Sequence, residues 1–240
     1  MKHQVVILCG GLGTRVAHMT ENIPKSMIRF QNVPFLEILI KQLANQRFDN
    51  FLLLTGHRAE VIKNYFGTGS ALGIKISYSC EPVPLGTGGA LRLAKPMIKD
   101  RFLLLYGDIY REFDYSRLDA LDTNFLAVYK YQDGLHSISA PNIQLSNDLS
   151  YITDYRKETN VVGYSFVDAG FGYFSKHVVD LLPNNYSNWE SVVYPVLSNA
   201  KELRPLIVDK DFYDIGNVHD LEDAKINLRP LGEFNADKNT

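Results

Sequence analysis

The chain has 240 residues, enough for one generous domain, with the 45% hydrophobic and 22% charged content of an ordinary globular protein. A net charge of -2 argues against a dedicated nucleic-acid or anionic-membrane surface, so positive charge serving a site must be local. No apolar run approaches a membrane span, and Met1-Lys2-His3-Gln4 carries no signal-like stretch, which leads us to expect a cytoplasmic protein.

Val5-Val6-Ile7-Leu8 reads as a buried strand, four apolar residues of which three are β-branched. It runs into Cys9-Gly10-Gly11-Leu12-Gly13-Thr14-Arg15, with Pro24-Lys25 following. Glycines there let main-chain N–H groups approach a ligand with no Cβ in the way, and successive N–H groups form an anion-binding concavity. Arg15 adds a guanidinium suited to forked contact with phosphate oxygens, and Lys25 adds a point charge. The assembly suits a triphosphate. It is neither a dinucleotide loop, lacking the third spaced glycine, nor a Walker loop, lacking Gly-Lys-Ser/Thr. Cys9 and Cys80 form no disulfide framework or cysteine-rich metal site, and Cys9 reads as a small core residue.

Residues 34–46 carry apolar residues at helical spacing behind a proline, and 51–54 reads as a second strand. A helix over 59–66 and a strand over 74–78 follow. Strands alternating with helices at short spacing predict βαβ units, hence a parallel sheet whose ligands sit beyond the strands' carboxyl ends. Glu81 to Ala90 then opens a helix running to Ala94, and its backbone N–H groups would face a base and ribose. Residues 101–106 form a fourth strand ending at Gly107-Asp108, where an aspartate is well placed to hold Mg²⁺. A fifth strand over 125–130 precedes a polar excursion over about 132–160, with short alternating runs around an Asn147-Asp148 turn. Strands over 167–174 and 206–208, helices over 176–182 and from Trp189 to Leu197, and a helix over 218–227 complete the pattern. One domain over 1–228 with a polar tail over 229–240 is expected.

Gly10-Gly11-Leu12-Gly13-Thr14-Arg15 followed by Pro24-Lys25 resembles the GGxGTR…PK pattern of the sugar-1-phosphate nucleotidyltransferases. Leu85-Gly86-Thr87-Gly88-Gly89 resembles their LGT(A/G)G segment, nearest the branch that makes guanosine diphosphate mannose or heptose. Gly107-Asp108 resembles the metal-binding pair, Ala169-Gly170 the NAG segment, and Asp214-Ile215-Gly216 the DIG segment. The resemblance implies the nucleotide-diphospho-sugar transferase fold, α/β and Rossmann-like, with a mixed, mainly parallel sheet flanked by helices and a small antiparallel acceptor-site excursion. It implies that Leu8, Gly10, Gly11, Leu12, Gly13 and Thr14 hold the nucleotide together with Glu81, Gly86, Thr87 and Gly88. Arg15 and Lys25 would be catalytic, and Asp108 and Asp214 would share Mg²⁺. Lys157, Arg156, Asp168 and Gly170 would bind the phosphorylated acceptor.

The chain departs from that pattern in places. Asp168 stands where the family has asparagine, Ser26 follows Lys25 in place of a proline, and Val16-Ala17-His18-Met19-Thr20 replaces a leucine and Pro-Leu-Thr. In the acceptor strand the family's Glu-Lys is reversed to Lys157-Glu158, which leaves its sugar-hydroxyl carboxylate open. The leading reading is condensation of GTP with a heptose or mannose 1-phosphate, releasing pyrophosphate. The same chemistry with CTP and a non-sugar phosphorylated acceptor is the alternative, and a homo-oligomer is compatible with either. A binding-only regulatory subunit would have no need of Arg15, Lys25, Asp108 and Asp214 together, and an α/β dehydrogenase would need the missing third glycine.

Overall fold

The computed structural model describes residues 3–11, 23–131, 141–157, 163–208 and 212–215, with the backbone alone at 119, 120 and 212–214. Its first strand, β1 (Gln4–Leu8), is apolar over consecutive positions because packed layers cover both of its faces. A hairpin of β2 (Arg29–Phe30) and β3 (Val33–Pro34) leads into α1 (Phe35–Asn45). β4 (Asn50–Thr55), α2 (Ala59–Phe66), β5 (Lys75–Cys80), α3 (Gly86–Ala94) and β6 (Arg101–Tyr106) follow. β1 pairs in parallel with β4 on one side and β6 on the other, and β4 pairs in parallel with β5. The remaining strands are β7 (Ile109–Arg111), β8 (Asn124–Lys130), β9 (Ile143–Leu145), β10 (Ile152–Tyr155), β11 (Phe166–Ser175), β12 (Leu203–Val208) and β13 (Phe212–Asp214), with α4 (Trp189–Asn199) before β12.

The main sheet runs β10-β9-β11-β6-β1-β4-β5, and β8 joins it antiparallel to β11 and parallel to β12. Alternation along each strand divides the core. Val5, Ile7, Leu53 and Leu105 face α1 and α2, where Leu36, Ile40, Leu43, Ile62 and Phe66 bury. Val6, Leu52, Leu104 and Phe102 face α3 and α4, where Leu91, Ala94, Trp189, Val193 and Leu197 bury. Each buried valine, leucine, isoleucine or phenylalanine among them contributes about 1.5–3 kcal/mol. A third cluster of Phe30, Phe35, Ile38, Leu39, Tyr110 and Ile215 packs the other side of α1 against the β7 region. This is the mainly parallel, doubly covered α/β sheet expected, and no described helix is long and apolar enough to cross a membrane.

Several expectations shift. The run after β11 is a short 3-10 helix over Lys176–Leu181, capped by the Ser175 hydroxyl and ended by the extended Leu182 that precedes Pro183. The excursion is an antiparallel β9–β10 hairpin joined to the main sheet through Phe166 and Ile143, and Leu149 takes the positive φ of its turn. Its parts over 132–140 and 158–160, the helix over 218–227 and the tail over 229–240 lie outside the described residues. β7 was not expected from the sequence, nor was its antiparallel pairing with β13.

The start of α3 is held by the segment before α4. The Gly88 and Gly89 N–H groups donate to the Ser187 carbonyl at 2.9 and 3.3 Å, and Ser187 N–H donates to the Leu85 carbonyl at 3.0 Å. Gly86 takes φ +75, and a Cβ there would drive into the Ser187 carbonyl. Gly86→Ala is therefore expected to cost about 1–3 kcal/mol, read as a drop of several degrees in the thermal unfolding midpoint. An unchanged midpoint would show that the 185–188 segment yields at no cost.

Candidate active site

Parallel pairing brings three loops off one edge of the sheet. Cys9 N–H donates to the Leu54 carbonyl at 2.9 Å, Gly107 N–H to the Leu8 carbonyl at 2.8 Å, and Glu81 N–H to the Thr55 carbonyl at 2.9 Å. The loops after β1, β5 and β6 thus leave the sheet side by side, as the sequence predicts for a ligand site. Gly107 is needed for this closeness, because a Cβ there would lie 2.8 Å from the Leu8 carbonyl oxygen. Gly10 sits between Gly56 and the Glu81 carboxylate, 3.0 and 3.3 Å from where its Cβ would be. Glu81 Oε2 accepts the Leu85 N–H at 3.0 Å, and burial, opposed by that bond, raises the carboxyl above its ordinary value. Leu8 is partly buried and Gly11 exposed. Leu12, Gly13, Thr14 and Arg15 lie outside the described residues.

Lys25 begins a single 3-10 turn, Lys25–Met27, anchored by buried Ser26 and Met27. Its Nζ lies 2.7 Å from Asp108 Oδ2, with the two side chains 15% and 36% exposed, so the pair is sheltered but open on the aspartate side. Asp214 of β13 stands opposite Ile109 of β7, and Ile215 N–H donates to the Asp108 carbonyl at 2.9 Å. The two aspartates, far apart in sequence, are backbone neighbours. Among the described residues no group of three or more histidine, cysteine or acidic side chains is placed to hold a metal.

Across β6 from this pair, β11 carries a bulge. Its register against β8 shifts between Asp168 and Gly172, and Gly170 takes φ +82 within the shift. A Cβ on Gly170 would lie 2.7 Å from Ile109 Cδ1, so this strand touches the residue after Asp108. The bend lets Asp168 Oδ1 accept the Gly170 N–H at 2.8 Å. Burial, opposed by that N–H and reinforced by the charge of Glu190, lifts the Asp168 carboxyl to about 7. Arg156 is exposed and donates through Nε to Asp154 Oδ2 at 2.9 Å. Lys157 Nζ stands 3.6 Å from Glu190 Oε2.

Two expectations change here. The Gly88 N–H does not face a base or ribose, since it is donated to Ser187, and glycine at 88 and 89 serves the contact with the 185–188 segment. The Thr87 side chain turns inward, donating to Glu190 Oε2 at 2.9 Å and accepting the Trp189 N–H at 2.9 Å. Glu190, Tyr106 and Arg111 were not singled out from the sequence. Glu190 carried a signal, a carboxylate in the first turn of an otherwise apolar stretch. Arg111, on a three-residue strand, carried none; it is buried, donates to the Ala169 carbonyl at 3.3 Å, and lies over the Tyr129 ring.

Comparison with known proteins gives concordant results. A family model described as nucleotidyl transferase matches residues 4–123. D-glycero-alpha-D-manno-heptose 1-phosphate guanylyltransferase of Campylobacter jejuni is 32% identical over 228 residues, covering 93% of this chain and 99% of that protein. Mannose-1-phosphate guanyltransferase of Saccharomyces cerevisiae is 28% identical over 233 residues, 90% of this chain but 62% of that longer protein. Among solved structures, HddC from Yersinia pseudotuberculosis complexed with GMP-PN superposes with a TM-score of 0.78 at 26% identity, covering 95% of this chain and 100% of that one.

The Asp168 carboxyl yields a stability prediction. A carboxyl raised in the folded state keeps a proton that the unfolded chain has already released, so folding weakens as pH rises from about 4 towards 7. Asn at this position still accepts the Gly170 N–H but carries no charge. Relative to the parent, Asp168→Asn is expected to gain thermal stability at about pH 8 and to lose most of that gain at about pH 5. An equal difference at both pH values would overturn the assignment.

Proposed function

The chain belongs to the nucleotidyl transferase family, and from that premise we propose that it condenses GTP with a heptose or mannose 1-phosphate, giving the guanosine diphosphate sugar and pyrophosphate. The observation that carries the reading is the Lys25–Asp108 pair at 2.7 Å, set where the loops after β1 and β6 leave the sheet and where the β11 bulge meets Ile109. The base follows from the guanylyl-transferring relatives and from the HddC complex.

An acceptor phosphate oxygen attacks the α-phosphorus in line. A new P–O bond forms there as the bond to the bridging oxygen breaks, and pyrophosphate leaves with that electron pair. The nucleophile is already an anion, so no general base is required. The obstacle is repulsion between two anions and charge gathering on the oxygens around phosphorus, which makes positioning and electrostatic stabilisation the main tasks. Leu8, Gly10 and Gly11 lead the first loop towards the triphosphate, with Glu81 and Gly86 on the base side. Lys25 supplies a sheltered positive charge near the α-phosphate, and Arg15, on sequence grounds, holds the departing phosphates. Arg156 and Lys157 meet the acceptor phosphate, and Asp168 and the backbone at Gly170 meet its hydroxyls.

The donor set fits Mg²⁺. Asp108 and Asp214 are hard oxygen donors at neighbouring backbone positions, and two carboxylates suit an ion that keeps waters and phosphate oxygens as its other ligands. When bound, the ion would neutralise phosphate charge.

Pyrophosphate release with Mg²⁺, measured across GTP, CTP, UTP, ATP and dTTP against sugar 1-phosphates and other phosphomonoesters, tests the reading. Release is expected only with GTP and a heptose or mannose 1-phosphate together. Strict dependence on CTP, or release with a non-sugar acceptor alone, would overturn the substrate assignment. Lys25→Ala and Asp108→Ala should each lower turnover by roughly 10²–10³, the usual loss for one preorganised charge. A variant within a few-fold of the parent would remove its residue from the catalytic set.

A further inference from the structure

Glu190 is a buried carboxylate to which the proposed reaction gives no part. It lies in the first turn of α4 and is 8% exposed. Its Oε1 accepts the Tyr106 hydroxyl at 2.6 Å, and its Oε2 accepts the Thr87 hydroxyl at 2.9 Å. These partners come from the nucleotide side, since Tyr106 closes β6 two residues before Asp108 and Thr87 opens α3. Its ionic partner comes from the acceptor side, with Lys157 Nζ at 3.6 Å from Oε2.

A buried carboxylate needs hydrogen bonds and a counter-charge to offset its lost hydration. The two hydroxyls give Glu190 the first and Lys157 gives the second. The reverse dependence matters more. The Lys157 side chain is 51% exposed, and a flexible four-carbon stem in water has many rotamers. Glu190 is its ion-pair partner among the described residues, and that carboxylate is fixed by two hydroxyls on regular elements. At 3.6 Å the contact is longer than a hydrogen bond, so the ammonium keeps its three N–H groups for another acceptor.

We propose that Glu190 is a positioning residue, whose carboxylate, locked by Tyr106 and Thr87, holds the Lys157 ammonium where the acceptor phosphate docks. The proposal rests on the reading that Lys157 meets that phosphate. A merely structural Glu190 would instead tie α3 to α4 and leave acceptor binding untouched.

Steady-state kinetics of pyrophosphate release, with acceptor and triphosphate varied in turn, separate these roles. Gln at 190 keeps the size and loses the charge; its oxygen still accepts one of the two hydroxyls, while its NH2 must donate to the oxygen of the other. Glu190→Gln is expected to raise the acceptor KM about three- to tenfold, with kcat and the triphosphate KM within about twofold. Lys157→Met should raise the same KM, and the double variant should be no worse than Lys157→Met alone, because both remove one interaction. Tyr106→Phe, which frees one oxygen of the carboxylate, should raise the acceptor KM by a smaller factor and provides the test if Glu190→Gln does not fold. Unchanged acceptor KM in Glu190→Gln beside a raised one in Lys157→Met overturns the positioning role alone. Fully additive effects, or a lowered unfolding midpoint with unchanged KM, overturn it equally. Unchanged acceptor KM in Lys157→Met overturns the reading of Lys157 itself, and the proposal with it.

Discussion

Parallel pairing of β1 with β4 and β6 is the constraint from which the site follows. In parallel strands every carboxyl end lies on one edge, so the loops after β1, β5 and β6 emerge as neighbours although the chain separates them widely. The arrangement requires strands buried on both faces, and Val5, Val6 and Ile7 are fully buried for that reason. It also requires the emerging loops to run closer than side chains allow. Gly107 against the Leu8 carbonyl and Gly10 against Gly56 meet that requirement by having no Cβ. The glycine-rich start of the chain therefore serves packing at Gly10 while it leaves Gly11 exposed to solvent.

The second side of the site reaches the first through an irregularity. The register shift between Asp168 and Gly172 turns the strand, and Gly170 in its positive φ presses on Ile109. Ile109 is also the residue opposite Asp214 in β13. One residue is thus shared by β11, the strand after Asp108 and the strand that brings Asp214.

How far this was legible in the sequence depends on how locally each feature is encoded. The helix over Ala59–Phe66 matches its predicted bounds because glycines flank it and its apolar residues repeat at helical spacing. The strand ending at Tyr106 is an unbroken apolar run. β7 is three residues long, and its partner β13 lies about a hundred residues further on, so no periodicity could reveal it. For the same reason the motifs suggested that Asp108 and Asp214 act together without showing how the fold joins them. Gly88 misled because a glycine that permits backbone approach to a ligand is indistinguishable, in sequence, from one that permits approach to Ser187. The signal at Glu190 is ambiguous, because a lone acid beside Trp189 also reads as a helix-start residue until its partners from other elements are known.

Electrostatics join the two halves. The reaction brings two anions together, yet the chain has a net charge of -2 and cannot rely on a broad positive field. Two of its positive side chains are instead held singly, each beside a carboxylate: Lys25 with Asp108 at 2.7 Å and Lys157 with Glu190 at 3.6 Å. In the proposed reaction, pairing would keep unbalanced cations from crowding the site before substrate arrives and would fix each ammonium in advance, so that little reorganisation remains when phosphate charge develops. The two distances differ in their consequence. The shorter contact is a true charge-assisted hydrogen bond, which an incoming phosphate must share or displace. The longer one, in the proposed arrangement, would let an acceptor phosphate add its contacts without displacing the carboxylate beside the lysine.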